Sequence, residues 1–347
     1  MSAVTVSQAA DYAEKNPDFI PCYPRLAFFS VGVVSILAAA AFASWLPLQV
    51  SIVTLFLFAG PHNWFELRYF LMRLPVRFGR SRNFFVTAFA GLALLTVAYV
   101  SLPFVYNARL WSDDAWSTII AGWNTALLFW LGLLVWLRSR QKRKANWTWT
   151  IPAGLVLASL NWLGPDFFSL ALVYIHPLIA LWFLDRHLRR TRPEWLRTYR
   201  RCLCLLPLVL AAMIWQLSQT TALPDSNGLF WRITQHSGAE VLPQVSSHLL
   251  VSVHLFLEML HYGVWIVALP LIGGLAGARV WNIKTVPVAR HPRGFPRLVG
   301  GLLIVALAGV VVLWFGFSMD YSTTRDVYFT VAIAHVLAEA PFLLRML

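Results

Sequence analysis

Three pairs of residues in this chain repeat one spacing. His62 and Glu66, His254 and Glu258, and His335 and Glu339 are each four positions apart, and His261 lies three beyond Glu258. On an α-helix four residues turn through about 400°, so each pair occupies one face about 40° apart, and His261 returns to the stripe of His254 and Glu258. An imidazole beside a carboxylate can pass a proton, form an ion pair or hold a metal ion, since borderline metals accept both ligand types. Glu258-Met259-Leu260-His261 has the Glu-x-x-His spacing with which helical di-iron proteins hold their irons. A further histidine stands in Val173-Tyr174-Ile175-His176-Pro177.

The surrounding sequence is that of a membrane protein. Of 347 residues 59% are hydrophobic and 12% charged, about half the charged fraction of soluble domains. That balance excludes a pair of soluble domains and a disordered chain, and three cysteines exclude a disulfide scaffold. Apolar windows predict ten spans: Leu26 to Leu46, Val50 to Met72, Phe84 to Leu102, Trp116 to Leu137, Trp149 to Leu163, Phe167 to Leu184, Cys202 to Leu217, His248 to Leu271, Leu298 to Phe317 and Val327 to Leu344. The fifth and seventh are short enough to be tilted, broken or re-entrant. The expected fold is all-α and polytopic: a cytoplasmic N-terminal segment 1–25, one transmembrane domain 26–347, and an external loop at about 218–247.

Basic residues fix the expected orientation. With the N-terminus inside, all but Arg109, Arg232 and Arg325 of the 28 Lys and Arg fall in cytoplasmic segments. Both termini are then cytoplasmic, and the net charge of +13 reports orientation and attraction to anionic lipid heads, with no need of nucleic acid. Asp11, Glu14 and Asp18 argue against a cleaved signal peptide, and a bacterial inner membrane is the expected location. Asn146-Trp147-Thr148 has glycosylation spacing but falls on the cytoplasmic side, and Trp45, Trp111, Trp116, Trp136, Trp149, Trp162 and Trp215 mark an interfacial belt. Cys22, Cys202 and Cys204 read as ordinary thiols, and His187, His236 and His291 as solvated residues.

Against this frame the three Glu and five of the His stand out, because all fall on even-numbered spans that run in one direction and reach similar depths. A charged side chain at the bilayer centre costs roughly 2.5 to 3.5 kcal/mol. Three ionised Glu would therefore cost about as much as a domain's whole stability. Neutral hydrogen bonding, a cation such as Arg68, a proton pathway or a bound metal could compensate, and one or two divalent ions would organise all eight side chains at once. The expected ligands are His62, Glu66, His176, His254, Glu258, His261, His335 and Glu339, with Glu258 and His261 as the catalytic pair. Asn63, Asn124 and Asn161 could orient ligands or simply join helices. Pro61 and Pro177, each beside a His, loosen the local backbone ladder.

Nucleotide-binding and serine-hydrolase motifs are absent from the sequence. The expectation is an integral-membrane non-haem iron oxygenase, holding one or two ions and acting on a lipid, isoprenoid or other apolar substrate with an electron donor as partner. The alternatives are a zinc-dependent lipid hydrolase and a proton- or metal-coupled transporter. Gly60-Pro61-His62-Asn63-Trp64-Phe65-Glu66 resembles the segment of the bacterial carotenoid-cleaving membrane proteins of Brp/Blh type, in which Gly and Pro precede an intramembrane His and an acid follows. The likeness covers seven residues and lacks that family's usual second His. It implies an apolar polyene substrate and carries over no residue roles.

Overall fold

The computed structural model describes residues 22–108, 112–141, 147–273, 281–292 and 294–346. The segment before residue 22, Arg109, Trp111, residues 142–146 with Asn146, and Arg279 lie outside the described residues. Every regular element among the described residues is helical: α1 (Cys22–Trp45), α2 (Pro47–Arg73), α3 (Arg82–Asn107), α4 (Asp113–Gln141), α5 (Thr150–Leu163), α6 (Pro165–Thr191), α7 (Pro193–Leu203), α8 (Leu206–Leu217), α9 (Gly228–His236), α10 (Ser247–Tyr262), α11 (Pro296–Met319) and α12 (Tyr321–Met346). α10 continues through a π-helical turn, Gly263–Ala268, into Leu269–Ile272.

Local chemistry sets many of the boundaries. α2, α6, α7 and α11 all begin with proline, whose missing N–H and fixed φ suit the first helical position. The Asn227 side chain accepts from the Phe230 N–H and caps α9. Asp320 caps α12: the hydroxyl and backbone N–H of Thr323 both donate to it, which holds its carboxyl below the usual range for aspartate.

Among the described residues eight helical stretches are long and apolar enough to cross a bilayer, and the protein is a multi-pass membrane protein. Two of the ten expected spans fall short of that standard. α2 is long but carries His62, Asn63, Glu66 and Arg68, while α5, with 14 residues, reaches only about 21 Å against a hydrocarbon core of about 30 Å. The short seventh span becomes part of one apolar stretch, Pro193–Leu217, made of α7 and α8. The 218–247 connection is not plain loop, since it contains α9.

α2, α4, α6 and α12 end together in arginine. Arg138 donates to the carbonyls of Leu344 and Arg345, Arg190 to that of Met346, and Arg345 to that of Arg73. These guanidinium groups satisfy C-terminal carbonyls that helices leave without internal partners, so the basic end of the bundle is also its fastening. Beneath it Phe70 and Phe342 stack at 4.3 Å, and Trp265 packs among Tyr69, Phe70 and Phe183.

α2 lies against α11 at a close approach. A Cβ added to Gly60 would meet Val310 Cγ1 at 2.9 Å and its Cα at 3.2 Å. Since the nearest neighbour includes backbone, a branched side chain must drive the helices apart. Gly60→Val should destabilise the protein by roughly 1 to 3 kcal/mol through overpacking, seen as a lower unfolding midpoint in detergent. Gly122→Ala, where nothing lies within 4 Å, should leave the midpoint unchanged or raise it.

Candidate metal centre

The four helices that carry the His and Glu, α2, α6, α10 and α12, run in parallel toward the basic end. Each has a defect in its hydrogen-bond ladder next to the residues it presents. Pro61 precedes His62, Pro177 follows His176, Pro341 lies two beyond Glu339, and the π turn starts two beyond His261. Proline removes an N–H and widens the helix locally, and π turns shift side-chain register, often at functional positions.

At this level His62, Glu66, His261 and His335 each offer one ligand atom such that all lie within 4.8 Å of one another, and His176, His261 and Glu339 do the same. His62, Glu66, His261 and Glu339 are at most 2% exposed. His62 Nδ1 lies 2.9 Å from the Phe58 carbonyl. That acceptor fixes the tautomer, with the proton on Nδ1 and the lone pair of Nε2 free for the cluster, as in metal-ligating histidines. His176 bridges the two groups: its Nδ1 lies 3.0 Å from Glu339 Oε2 and its Nε2 3.2 Å from His335 Nε2. Both oxygens of Glu66, Oε1 of Glu339 and Nε2 of His62 are buried with no hydrogen-bond partner, a costly state for polar groups inside a protein.

The spacing of the rings tests whether an ion fits. A metal about 2.1 Å from each ligating nitrogen sits about 3.2 Å from each imidazole centroid, so ligand rings lie about 4.5 Å apart at right angles, about 5.2 Å in a tetrahedron and about 6.4 Å when trans. The observed centroid separations are 5.3 Å for His62 and His261, 5.2 Å for His62 and His335, 4.7 Å for His176 and His261, 5.1 Å for His176 and His335, and 6.3 Å for His261 and His335. All fall within that range. Ligand atoms on one ion lie at most about 4.2 Å apart, so the 4.8 Å spread closes with inward shifts of a few tenths of an ångström.

His254 and Glu258 stand outside both groups. Seven residues separate His254 from His261, a rise of about 10.5 Å, so the two cannot share an ion although they share a stripe. His254 Nδ1 is 3.8 Å from Glu258 Oε2, and its ring lies beside Tyr174 and His236. Glu258 shares its surroundings with Arg325, Tyr262, Tyr321 and Tyr328. Arg68 turns away from Glu66, as two positions on a helix require, and donates to the Asn282 carbonyl at 3.2 Å and the Thr285 hydroxyl at 2.7 Å.

Two histidines expected in solvent are not there. His187 is 5% exposed, with Nδ1 2.9 Å from Arg73 Nη2; of its neighbours, Arg190 reaches the Met346 carbonyl and Arg186 lies over the Trp182 ring. His236 packs at 4.0 Å on the Phe329 ring, and burial holds its imidazole well below the usual histidine range, because α9 folds back over the bundle. His291 is exposed as expected. Cys202 is buried and Cys204 exposed, and both are free thiols. Asn124 and Asn161 bond to each other at 2.8 Å and join α4 to α5, whereas Asn63 donates to the Tyr328 hydroxyl at 3.5 Å. Tyr262, whose ring is 4.6 Å from that of His62, drew no notice in the sequence; Tyr328 could have been found there, since it precedes His335 by seven positions on the same face.

No family of known proteins, no curated protein and no solved structure matches this chain. The chemistry is therefore read from the site: four imidazoles and two carboxylates that converge, His62, His261, Glu66 and Glu339 buried and His176 and His335 half-buried, with His62 oriented by the Phe58 carbonyl and His176 by Glu339. Metal analysis of detergent-purified protein should find His62→Ala and His335→Ala strongly depleted. Glu339→Gln should weaken binding about 10- to 100-fold, as loss of a ligand-orienting carboxylate does, and His254→Ala should keep its metal. Equal loss in His254→Ala and His62→Ala would contradict the geometry.

Proposed function

We propose that the protein is an iron-dependent oxygenase of the membrane, acting on an apolar substrate. The observation that carries this reading is the convergence of His62, Glu66, His261 and His335, each offering one ligand atom within 4.8 Å of the others, a mixed imidazole and carboxylate set of the kind non-haem iron takes. His176, His261 and Glu339 form a second such group that shares His261 with the first, so that one or two ions could be held. Iron held by these residues would supply the redox chemistry of an oxygenase.

The chain's own residues do the rest. Glu339 accepts from His176 Nδ1–H and sets that ring's orientation, and the Phe58 carbonyl does the same for His62. The histidines line a cavity of about 480 Å³ whose other walls include Trp123, Leu127 and Trp130, a size suited to small-molecule ligands. Those walls keep water from the reacting groups. Glu258 lines the same cavity three residues before His261, a rise of about 4.5 Å, and that position assigns it a part in catalysis, while His254 lines the cavity a turn further from the centre. On this reading the basic end faces the cytoplasm of a bacterial inner membrane, the side from which a soluble electron donor would approach.

The test is anaerobic loading with ferrous iron or zinc, followed by oxygen uptake in the presence of a membrane-lipid extract. The expected result is one or two irons per chain and lipid-dependent uptake that His335→Ala abolishes. One tightly held zinc per chain, with no oxygen uptake, would replace the oxygenase by a hydrolase.

A further inference from the structure

The cavity is long and polarised. A sphere of 480 Å³ would be about 10 Å across, yet the lining residues of α6 run from Asp166 to Ile179, about 20 Å along the helix axis. The ends differ in chemistry. At one lie Asp166, Gln235 and His236, and at the other Leu131, Ile179 and Leu337. Asp166 is exposed, so the first end is the mouth and the second a blind, apolar end. The metal-centre histidines interrupt the wall between them. His176 is ten residues from Asp166, about 15 Å, and only three from Ile179, about 4.5 Å.

The mouth offers hydrogen-bond acceptors. Gln235 Oε1 is buried without a partner, and Asp166 is an acid. Among the described residues the arginines of this end, Arg232 and Arg325, both reach Asp326, and neither lines the cavity. An anionic head would meet the Asp166 carboxylate, with no cation among the described residues of the lining, whereas a hydroxyl would donate to Gln235 Oε1. His236, kept neutral by burial, can take part in that hydrogen bond with no ionic cost.

We propose that the cavity takes a linear lipid alcohol of acyl or isoprenoid type, hydroxyl at the Gln235 mouth and chain lying along α4, so that the metal centre meets an interior carbon roughly a dozen bonds from the head. This rests on the metal-centre reading for what happens at that carbon, but the binding itself does not depend on the metal.

Native mass spectrometry of purified, delipidated protein with a series of saturated 1-alkanols and the matching fatty acids tests the proposal. Binding should peak near sixteen to eighteen carbons, with the acid of equal length at least tenfold weaker. Gln235→Leu should weaken alcohol binding about tenfold, and Leu131→Trp, which fills the blind end, should shift the optimum to shorter chains. If Leu131→Trp does not fold, Ile179→Trp tests the same end. Equal binding of acid and alcohol, or an optimum that neither blind-end variant moves, would overturn the proposal. Length-dependent binding without iron or oxygen uptake would overturn the oxygenase reading and leave this one standing.

Discussion

The structure depends on the cost of placing carboxylates and imidazoles where water cannot reach them. Glu66 and Glu339 are at most 1% exposed. Ionised and uncompensated at the bilayer centre, the two would cost roughly 5 to 7 kcal/mol, as much as the net stability of many proteins. His176 accounts for one oxygen of Glu339, and nothing among the described residues accounts for either oxygen of Glu66. A cation bound by the surrounding imidazoles would resolve that imbalance with a single particle, and would account for histidines from four helices gathering at one level.

Bringing four helices to one point has its own requirement, because helix surfaces are normally kept 8–10 Å apart by their side chains. Here the helices yield locally. Gly60 lets α2 close on α11, and Pro61, Pro177, Pro341 and the π turn interrupt the four ladders beside the residues presented. The basic end then fixes the axial register, since Arg138, Arg190 and Arg345 tie α4, α6 and α12 to one another and to α2. Charge that orients a membrane protein during insertion thus also holds the helices at matched depth.

Much of this is legible in the amino-acid sequence, for reasons specific to membranes. Apolar runs must be continuous and polar intruders are expensive, so the helices and six of the residues that converge could be found by their cost alone. What spacing could not separate was rotation from height. His254, Glu258 and His261 share a stripe, and a periodicity argument groups them, but two turns of rise put His254 out of reach. Charge context misled in a similar way for His187, whose arginine neighbours look outward in sequence and inward in the fold. The cavity was invisible to any local pattern, because its walls come from α3, α4, α6, α9, α10 and α12 at once.

X-ray absorption at the iron edge of the purified, iron-loaded protein tests the central claim most directly. The account predicts a first shell of nitrogen and oxygen near 2.1 Å, with outer-shell scattering from several imidazoles that diminishes when His335 is replaced by alanine and persists when His254 is. An iron shell without imidazole scattering, or one indifferent to His335, would contradict it.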